Sequence, residues 1–199
     1  MRAALCDDHP VTLQGLRALL ETRGWSIAWE CRSVPELLAF LAASPVELVI
    51  TDLFFAGRAA YLELARLRLL QPGLKVLVYT MAEDPLVWKQ LQHLGLACVV
   101  SKASPPLELL AAIENLLGGR ATSRPQEGPE PFAPCLSPRQ LAILGLLAQG
   151  FSTKEIAREL AIRPETVKTH VERMRAHLGA KNRLALLAHA FRLGLVPRP

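Results

Sequence analysis

Two hydrophobic periods alternate along the first 118 residues. Short, nearly continuous apolar runs at Ala3–Cys6, Ser26–Cys31, Glu47–Thr51, Lys75–Tyr79 and Ala97–Val100 predict five strands. Between them the apolar residues fall at helical spacing. Val11, Leu16, Leu19 and Leu20 mark a helix from Val11 to Arg23 that Gly24 stops. Ser33-Val34-Pro35-Glu36 has the form of a capping box with proline in the first turn, and opens a helix to about Ala43. Further helices are predicted at Ala59–Leu70, closed by Pro72-Gly73, at Pro85–Leu94, closed by Gly95, and from Ser104-Pro105 to Leu117. Strands alternating with helices predict a parallel sheet covered on both faces. The second strand ends in Cys31-Arg32, which offer no evident chemistry, whereas the other strands end in polar groups. That predicts the order 2-1-3-4-5, with strand two at the edge.

The pattern then changes. Gly118 to Pro134 contains Pro125, Pro129, Pro131 and Pro134 and cannot bury a core, so an extended linker is predicted. Beyond it only the helical period remains. Capping boxes at Ser137-Pro138-Arg139-Gln140 and Ser152-Thr153-Lys154-Glu155 open two helices. Pro164 opens a longer one to about Leu178, with Val167, Val171, Met174 and Leu178 on its buried face, and Asn182 or Arg183 a last one to about Leu193. The predicted organisation is an α/β domain over residues 1–118, a linker over 119–135 and an all-α domain of four helices over 136–199.

Charge separates the same two parts. Residues 1–121 hold 11 Lys/Arg and 12 Asp/Glu, while residues 136–199 hold 11 Lys/Arg and 4 Asp/Glu. A basic surface beside a neutral domain points to an anionic partner for the second domain, although charge alone fits a merely soluble surface equally well. No apolar run approaches the ~18 residues of a membrane span. Met1-Arg2-Ala3-Ala4-Leu5 runs into Asp7 and Asp8, unlike a signal peptide. Cys6, Cys31, Cys98 and Cys135 have no close spacing, so neither a zinc site nor a disulfide framework is indicated. Reduced thiols in a cytoplasmic protein are expected, with Cys135 the most exposed.

The strand ends carry the chemistry of the first domain. An acid after a strand, such as Asp52, is by itself as well read as a turn or N-cap residue. Its company changes that reading. Strand one delivers Asp7 and Asp8, strand four Thr80 and strand five Lys102. Three converging carboxylates suit a hard divalent ion such as Mg²⁺. One of them can attack phosphorus, while the metal and a lysine neutralise the phosphoryl oxygens. Asp7-Asp8-His9-Pro10, Asp52, Thr80-Met81, Gly95 and Lys102, taken together, resemble the receiver domain of a bacterial response regulator over roughly residues 1–118. The resemblance implies that Asp52 is the phosphoacceptor, that Asp7 and Asp8 bind the metal with Asp8 the more direct ligand, that Thr80 is the switch hydroxyl and that Lys102 pairs with the phosphate. The family's usual Met-Pro after the acceptor is replaced by Phe55-Ala56, which predicts a looser loop beside the metal. Its usual aromatic switch residue is replaced by Val99, so Thr80 lacks the usual inward-swinging ring. Tyr79 reads better as strand core than as a substitute. Trp88 reads as a half-buried packing residue in preference to a partner contact.

In the second domain, two helices joined by a short turn, the second of them basic, fit a helix-turn-helix, and spacing alone fits an ordinary helical hairpin as well. Leu136-Ser137-Pro138-Arg139, Leu146-Leu147-Ala148-Gln149-Gly150, Glu155-Ile156-Ala157, Thr166-Val167-Lys168-Thr169-His170 and Leu178-Gly179-Ala180-Lys181-Asn182-Arg183 resemble the LuxR-type helix-turn-helix. The resemblance implies that Thr166–Leu178 enters the major groove and that the last helix helps form a dimer. Lys168 and Thr169 then face bases, and Thr166, His170 and Lys154 hold the backbone. Arg173 lies on the same exposed side and can neutralise phosphate or read guanine. Gln140 stands where glutamate is usual and can still close its capping box. Arg163 stands where a serine N-cap is expected, which weakens the helix start by roughly 1 kcal/mol. Glu172 either selects cytosine or lowers nonspecific affinity.

Together the two halves resemble a two-component response regulator of the NarL/FixJ type. That implies phosphorylation by a sensor histidine kinase, a homodimer on promoter DNA, a possible contact with RNA polymerase, and no turnover activity beyond slow autodephosphorylation. The departures at Ala56 and Val99 leave room for a DNA-binding regulator that works without phosphorylation. A metal-dependent phosphohydrolase and a purely protein-binding module fit the sequence less well.

Overall fold

The computed structural model describes residues 1–119, 136–193 and 195–196. The predicted linker and Cys135 lie outside the described residues, apart from Gly119. The first part is a five-stranded parallel sheet of β1 (Arg2–Cys6), β2 (Ser26–Cys31), β3 (Leu48–Thr51), β6 (Lys75–Thr80) and β7 (Cys98–Ser101). The order is β2-β1-β3-β6-β7, which is the predicted 2-1-3-4-5 with an added hairpin numbered between. Every pairing in this sheet is parallel.

The apolar runs are continuous because both faces of the sheet are covered, so alternate residues enter different layers. Leu48, Ile50, Leu77 and Val100 face α1 (Pro10–Glu21) and α5 (Pro106–Leu117). Val49, Val76, Val78 and Val99 face α2 (Val34–Leu41), α3 (Tyr61–Leu70) and α4 (Pro85–His93). Tyr79 packs on the α1/α5 side, opposite the Val78 and Val99 layer, so it is strand core as its pattern predicts. At the start of α2, Ser33 accepts from Glu36 N–H at 3.4 Å, but the Glu36 carboxylate accepts from the Ser33 hydroxyl at 2.7 Å instead of closing the box on the Ser33 backbone N–H.

One element was not foreseen. β4 (Phe54–Phe55) and β5 (Arg58–Ala59) pair antiparallel. Ala56 and Gly57, at φ 47° and 75°, turn the chain between them, the sign pattern of a type I′ hairpin. The predicted third helix accordingly begins at Tyr61 and not at Ala59. The segment after Asp52, where a looser loop was expected, is thus a short hairpin.

The second part is all helical: α6 (Pro138–Ala148), α7 (Thr153–Glu159), α8 (Pro164–His177) and α9 (Arg183–Arg192). Both predicted capping boxes close, Ser137 with Gln140 and Ser152 with Glu155. Arg163 makes no side-chain cap for α8, whereas Asn182 caps α9 by accepting from Ala185 N–H at 2.8 Å. Leu141, Leu144, Ile156, Val167, Met174 and Leu186 fill the helical core. That core is continuous with the α2–α4 side of the sheet. No helix of the described residues is long and apolar enough to cross a membrane.

Candidate functional site

The carboxyl ends of β1, β3, β6 and β7 meet at one cleft, as the switch in strand order dictates. β1 delivers Asp7 and β3 delivers Asp52, each nearly fully buried at 1% and 5% exposure. The side-chain Oδ1 of Asp52 accepts from Leu53 N–H at 2.6 Å. Lys102, just past β7, places its Nζ 2.6 Å from Asp7 Oδ2 and 2.6 Å from Asp52 Oδ2. Burial opposes the Lys102 charge, but the hydrogen bonds to Asp52 and Asp7 outweigh it and hold the ammonium above the ordinary lysine range.

Asp8 is split in its bonding. Its Oδ2 accepts from Ala56 N–H at 2.8 Å, a bond made possible by the left-handed turn at Ala56. Its Oδ1 is enclosed and accepts no hydrogen bond, although His9 Nδ1 lies 2.8 Å away. An enclosed carboxylate oxygen whose one near neighbour is an imidazole nitrogen suits a cation site. Ligand atoms of Asp7, Asp8, His9 and Asp52 all lie within 4.8 Å of one another. Three carboxylates in that space fit a hard divalent ion. His9 joins them through its imidazole, also 3.3 Å from Asp7 Oδ1, although its place beside the two acids in the sequence carried no assigned role.

Thr80 is fully buried, lines the same cleft, and accepts weakly from Ala82 N–H at 3.4 Å. Its backbone C=O accepts from Lys102 N–H at 2.8 Å, so the main chain ties it to the acid–lysine cluster. Val99, which stands at the switch position, is buried aliphatic core. The loop after Thr80 is held instead by Trp88, whose indole Nε1 donates to Ala82 C=O at 2.6 Å. Trp88 is half-buried, as its position on α4 predicts, but this bond is more than packing. The signal was available in principle, because a partly buried indole N–H must find an acceptor.

In the second domain Lys154, Thr166, Lys168, Thr169 and Arg173 are exposed and His170 is half-buried. Glu172 is exposed on the same helix. Thr169 is exposed and donates its hydroxyl to Glu165 C=O at 3.0 Å. Burial first, then the charges of Arg173 and Arg139, lower the His170 pKa and favour the neutral ring. Arg139 Nη2 closes the end of α7 on Leu160 C=O at 2.8 Å, and Arg183 Nη2 ties α9 to Phe151 C=O at 2.8 Å. These two arginines build the domain, a use that a count of basic residues does not separate from binding.

The chain is similar to known proteins over nearly its whole length. Residues 3–114 match the response regulator receiver domain and residues 134–190 the LuxR family of bacterial regulatory proteins. The probable transcriptional regulatory protein NarL of Mycobacterium tuberculosis (strain ATCC 25618 / H37Rv) is 28% identical, covering 98% of this chain and 96% of that one. Among solved structures, RcsB of Salmonella enterica serovar Typhimurium bound to promoter rprA with the phosphomimetic BeF3− superposes with a TM-score of 0.69 at 26% identity. That match covers 95% of this chain and 98% of the other. A structure of two RcsB dimers bound to two parallel DNAs superposes at 0.60, with 27% identity, 95% of this chain and 97% of the other. With the parallel sheet, the acid–lysine cleft and the helix-turn-helix already in place, the chain belongs to the response regulators of the NarL/FixJ type, a receiver domain followed by a LuxR-type DNA-binding domain.

Proposed function

We propose that a sensor histidine kinase phosphorylates Asp52, and that this controls dimerisation and sequence-specific promoter binding by the second domain. The observation that carries the reading is the placement of one lysine ammonium 2.6 Å from both Asp7 and Asp52, in a cluster where Asp7, Asp8 and Asp52 lie close enough to share one cation. In the reaction a carboxylate oxygen of Asp52 forms a bond to phosphorus as the phosphorus–nitrogen bond of a phosphohistidine breaks, and the departing imidazole takes up a proton. Asp7, Asp8 and Asp52 would hold Mg²⁺, which when bound supplies charge neutralisation at the phosphoryl oxygens. Lys102 pairs with the phosphoryl group and holds its second bond to Asp7. The Thr80 hydroxyl, released from its weak contact with Ala82 N–H, donates to a phosphoryl oxygen. The added charge of about −1.5 to −2 then biases the loop and α4 behind Thr80. Water attack on the same phosphorus gives slow autodephosphorylation.

On DNA, Lys168 and Thr169 face base edges, Thr166, His170 and Lys154 hold backbone, and Arg173 pairs with phosphate or guanine. A single small domain offers few contacts, so a homodimer on paired half-sites is the working form. RNA polymerase is a further candidate partner at the promoter, and the cytoplasm is the compartment this chemistry requires.

Intact-mass spectrometry after incubation with Mg²⁺ and acetyl phosphate, and then with the partner kinase, tests the acceptor. One phosphoryl adduct is expected on the wild type and none on Asp52→Ala. An adduct that survives the Asp52→Ala substitution would remove Asp52 from the role. The replacement of the aromatic switch by buried Val99 favours a second reading, regulation without phosphorylation. Promoter output unchanged in Asp52→Ala would support it.

A further inference from the structure

Two thiols beside the acid cluster have no part in the phosphoryl chemistry. Cys6 ends β1 and Cys31 ends β2. Nothing in their sequence spacing joins them, but the parallel register makes them Cα partners, so both side chains leave one face of the sheet. They are 1% and 2% exposed, and the two thiols interact directly. Neighbouring strands lie about 4.8 Å apart, inside the roughly 4.4–6.8 Å between Cα atoms that a disulfide spans. The main chain ties this pair to the acids. Cys31 C=O accepts from Asp7 N–H at 3.1 Å, Cys6 C=O accepts from Asp52 N–H at 2.9 Å, and Arg32 Nη2 donates to Asp8 C=O at 3.0 Å.

We infer that Cys6 and Cys31 are a redox pair that hydrogen peroxide closes into a reversible disulfide, and that closing it weakens cation binding by Asp7, Asp8 and Asp52. The second half rests on the acid cluster holding Mg²⁺; the first does not. Cys31 is the better-placed nucleophile. It stands on the edge strand, and the backbone N–H of Ser33, the N-cap of α2, faces its sulfur. Glu36 acts in the opposite sense, but it is exposed and its charge is screened. Local opening where β2 meets α2 admits the oxidant. The Cys31 sulfur forms a bond to one peroxide oxygen as the O–O bond breaks, and the thiol proton leaves with the other oxygen as water. The Cys6 sulfur then displaces the sulfenic oxygen, which takes the Cys6 proton and leaves as a second water. The two thiols lose two electrons in total, and the peroxide gains them. The bond fixes the sulfurs at about 2.05 Å with a torsion near a right angle, which re-sets the ends of β1 and β2. Asp7 and Asp8 follow Cys6 directly in the chain, so their carboxylates shift against Asp52. In a reducing compartment small thiols reopen the bond, which makes the pair a sensor and not a structural crosslink.

The test uses the full-length protein, first reduced and then treated with hydrogen peroxide. Its intact mass should fall by about two mass units, the two hydrogens lost, and dithiothreitol should restore it. Proteolysis without reduction should release Cys6 and Cys31 in one linked pair of peptides, and Cys31→Ala should abolish the loss. Calorimetric titration should then find Mg²⁺ bound at least about fivefold more weakly by the oxidised wild type. In Cys31→Ala the same treatment should leave Mg²⁺ affinity as it was before. Reciprocity requires saturating Mg²⁺ to shift the thiol–disulfide equilibrium in a glutathione buffer by the same factor. Links through Cys98 or Cys135 only, or over-oxidised sulfur without a link, overturn the redox pair. A Cys6–Cys31 link with unchanged Mg²⁺ affinity overturns the coupling and leaves the cation reading standing. No Mg²⁺ binding in either redox state overturns the cation reading and the coupling together, while the mapped link upholds the redox pair.

Discussion

At the scale of single residues, Lys102 is the cation that holds the buried acids together. Its ammonium, with the side chain 10% exposed, separates two carboxylates that are more deeply buried still. Removing it leaves Asp7 and Asp52 facing each other with no counter-charge. Lys102→Met should therefore cost about 3 kcal/mol or more in EDTA at pH 7, read from the urea midpoint. Adding Asp52→Asn should recover part of that loss, and Mg²⁺ should recover part of it in the single variant. A Lys102→Met protein as stable as wild type in EDTA would show that the pairing contributes no net stability. The pH dependence follows from the raised Lys102 pKa. The lysine's contribution is complete below the unfolded value of about 10.4 and is lost as pH rises through the higher folded value, so on the alkaline side wild type should lose its advantage over Lys102→Met in strong alkali. The acids and the lysine were legible in the sequence because each follows an apolar run that ends at the same edge of a sheet. Gln90 was not, since a glutamine on a helix face carries no mark of a bond to a backbone 46 residues away.

At the scale of elements, capping and turn chemistry decided what could be read. The boxes at Ser137 and Ser152 are local patterns and closed as such. The β4–β5 hairpin escaped because Ala-Gly is a weak signal for a type I′ turn, where Asn-Gly is the usual pair. The two alanines at positive φ, Ala56 at 47° and Ala161 at 52°, each carry the left-handed penalty of an L residue. Ala161 turns the chain between α7 and α8 and lies outside the core. Ala161→Gly should therefore raise stability by up to about 1 kcal/mol. The absent cap two residues later is a separate deficit. Arg163→Ser should add roughly 1 kcal/mol by giving α8 the acceptor that Arg163 lacks. Thermal unfolding of the two variants and their double checks both figures. A double variant whose gain falls well short of the sum would mean that the turn and the cap stabilise the same conformation.

At the scale of the whole molecule, the two domains share a continuous apolar core but divide the charge. The receiver is near neutrality and the helical domain carries the excess of cations. Binding to DNA by such a domain is dominated by counterion release, so its affinity should fall steeply with salt whatever the sequence. The exposed positions separate by what they touch. Lys154 lies on α7, away from the reading helix, and is assigned to phosphate. Lys154→Ala should weaken specific and nonspecific duplexes alike and reduce the slope of log K against log salt by about 1. Lys168 lies on the outward face of α8 and is assigned to a base edge. Lys168→Ala should cost about 1–3 kcal/mol on the operator and much less on random sequence. Equal losses for Lys168→Ala on both duplexes would move it to the backbone class and leave Thr169 to carry the readout. The comparison is possible in the unphosphorylated protein because the outer face of α8 is exposed. The same salt series after phosphorylation then isolates the contribution of dimerisation, because two linked domains engage about twice as many phosphates and their slope should approach twice the value of one.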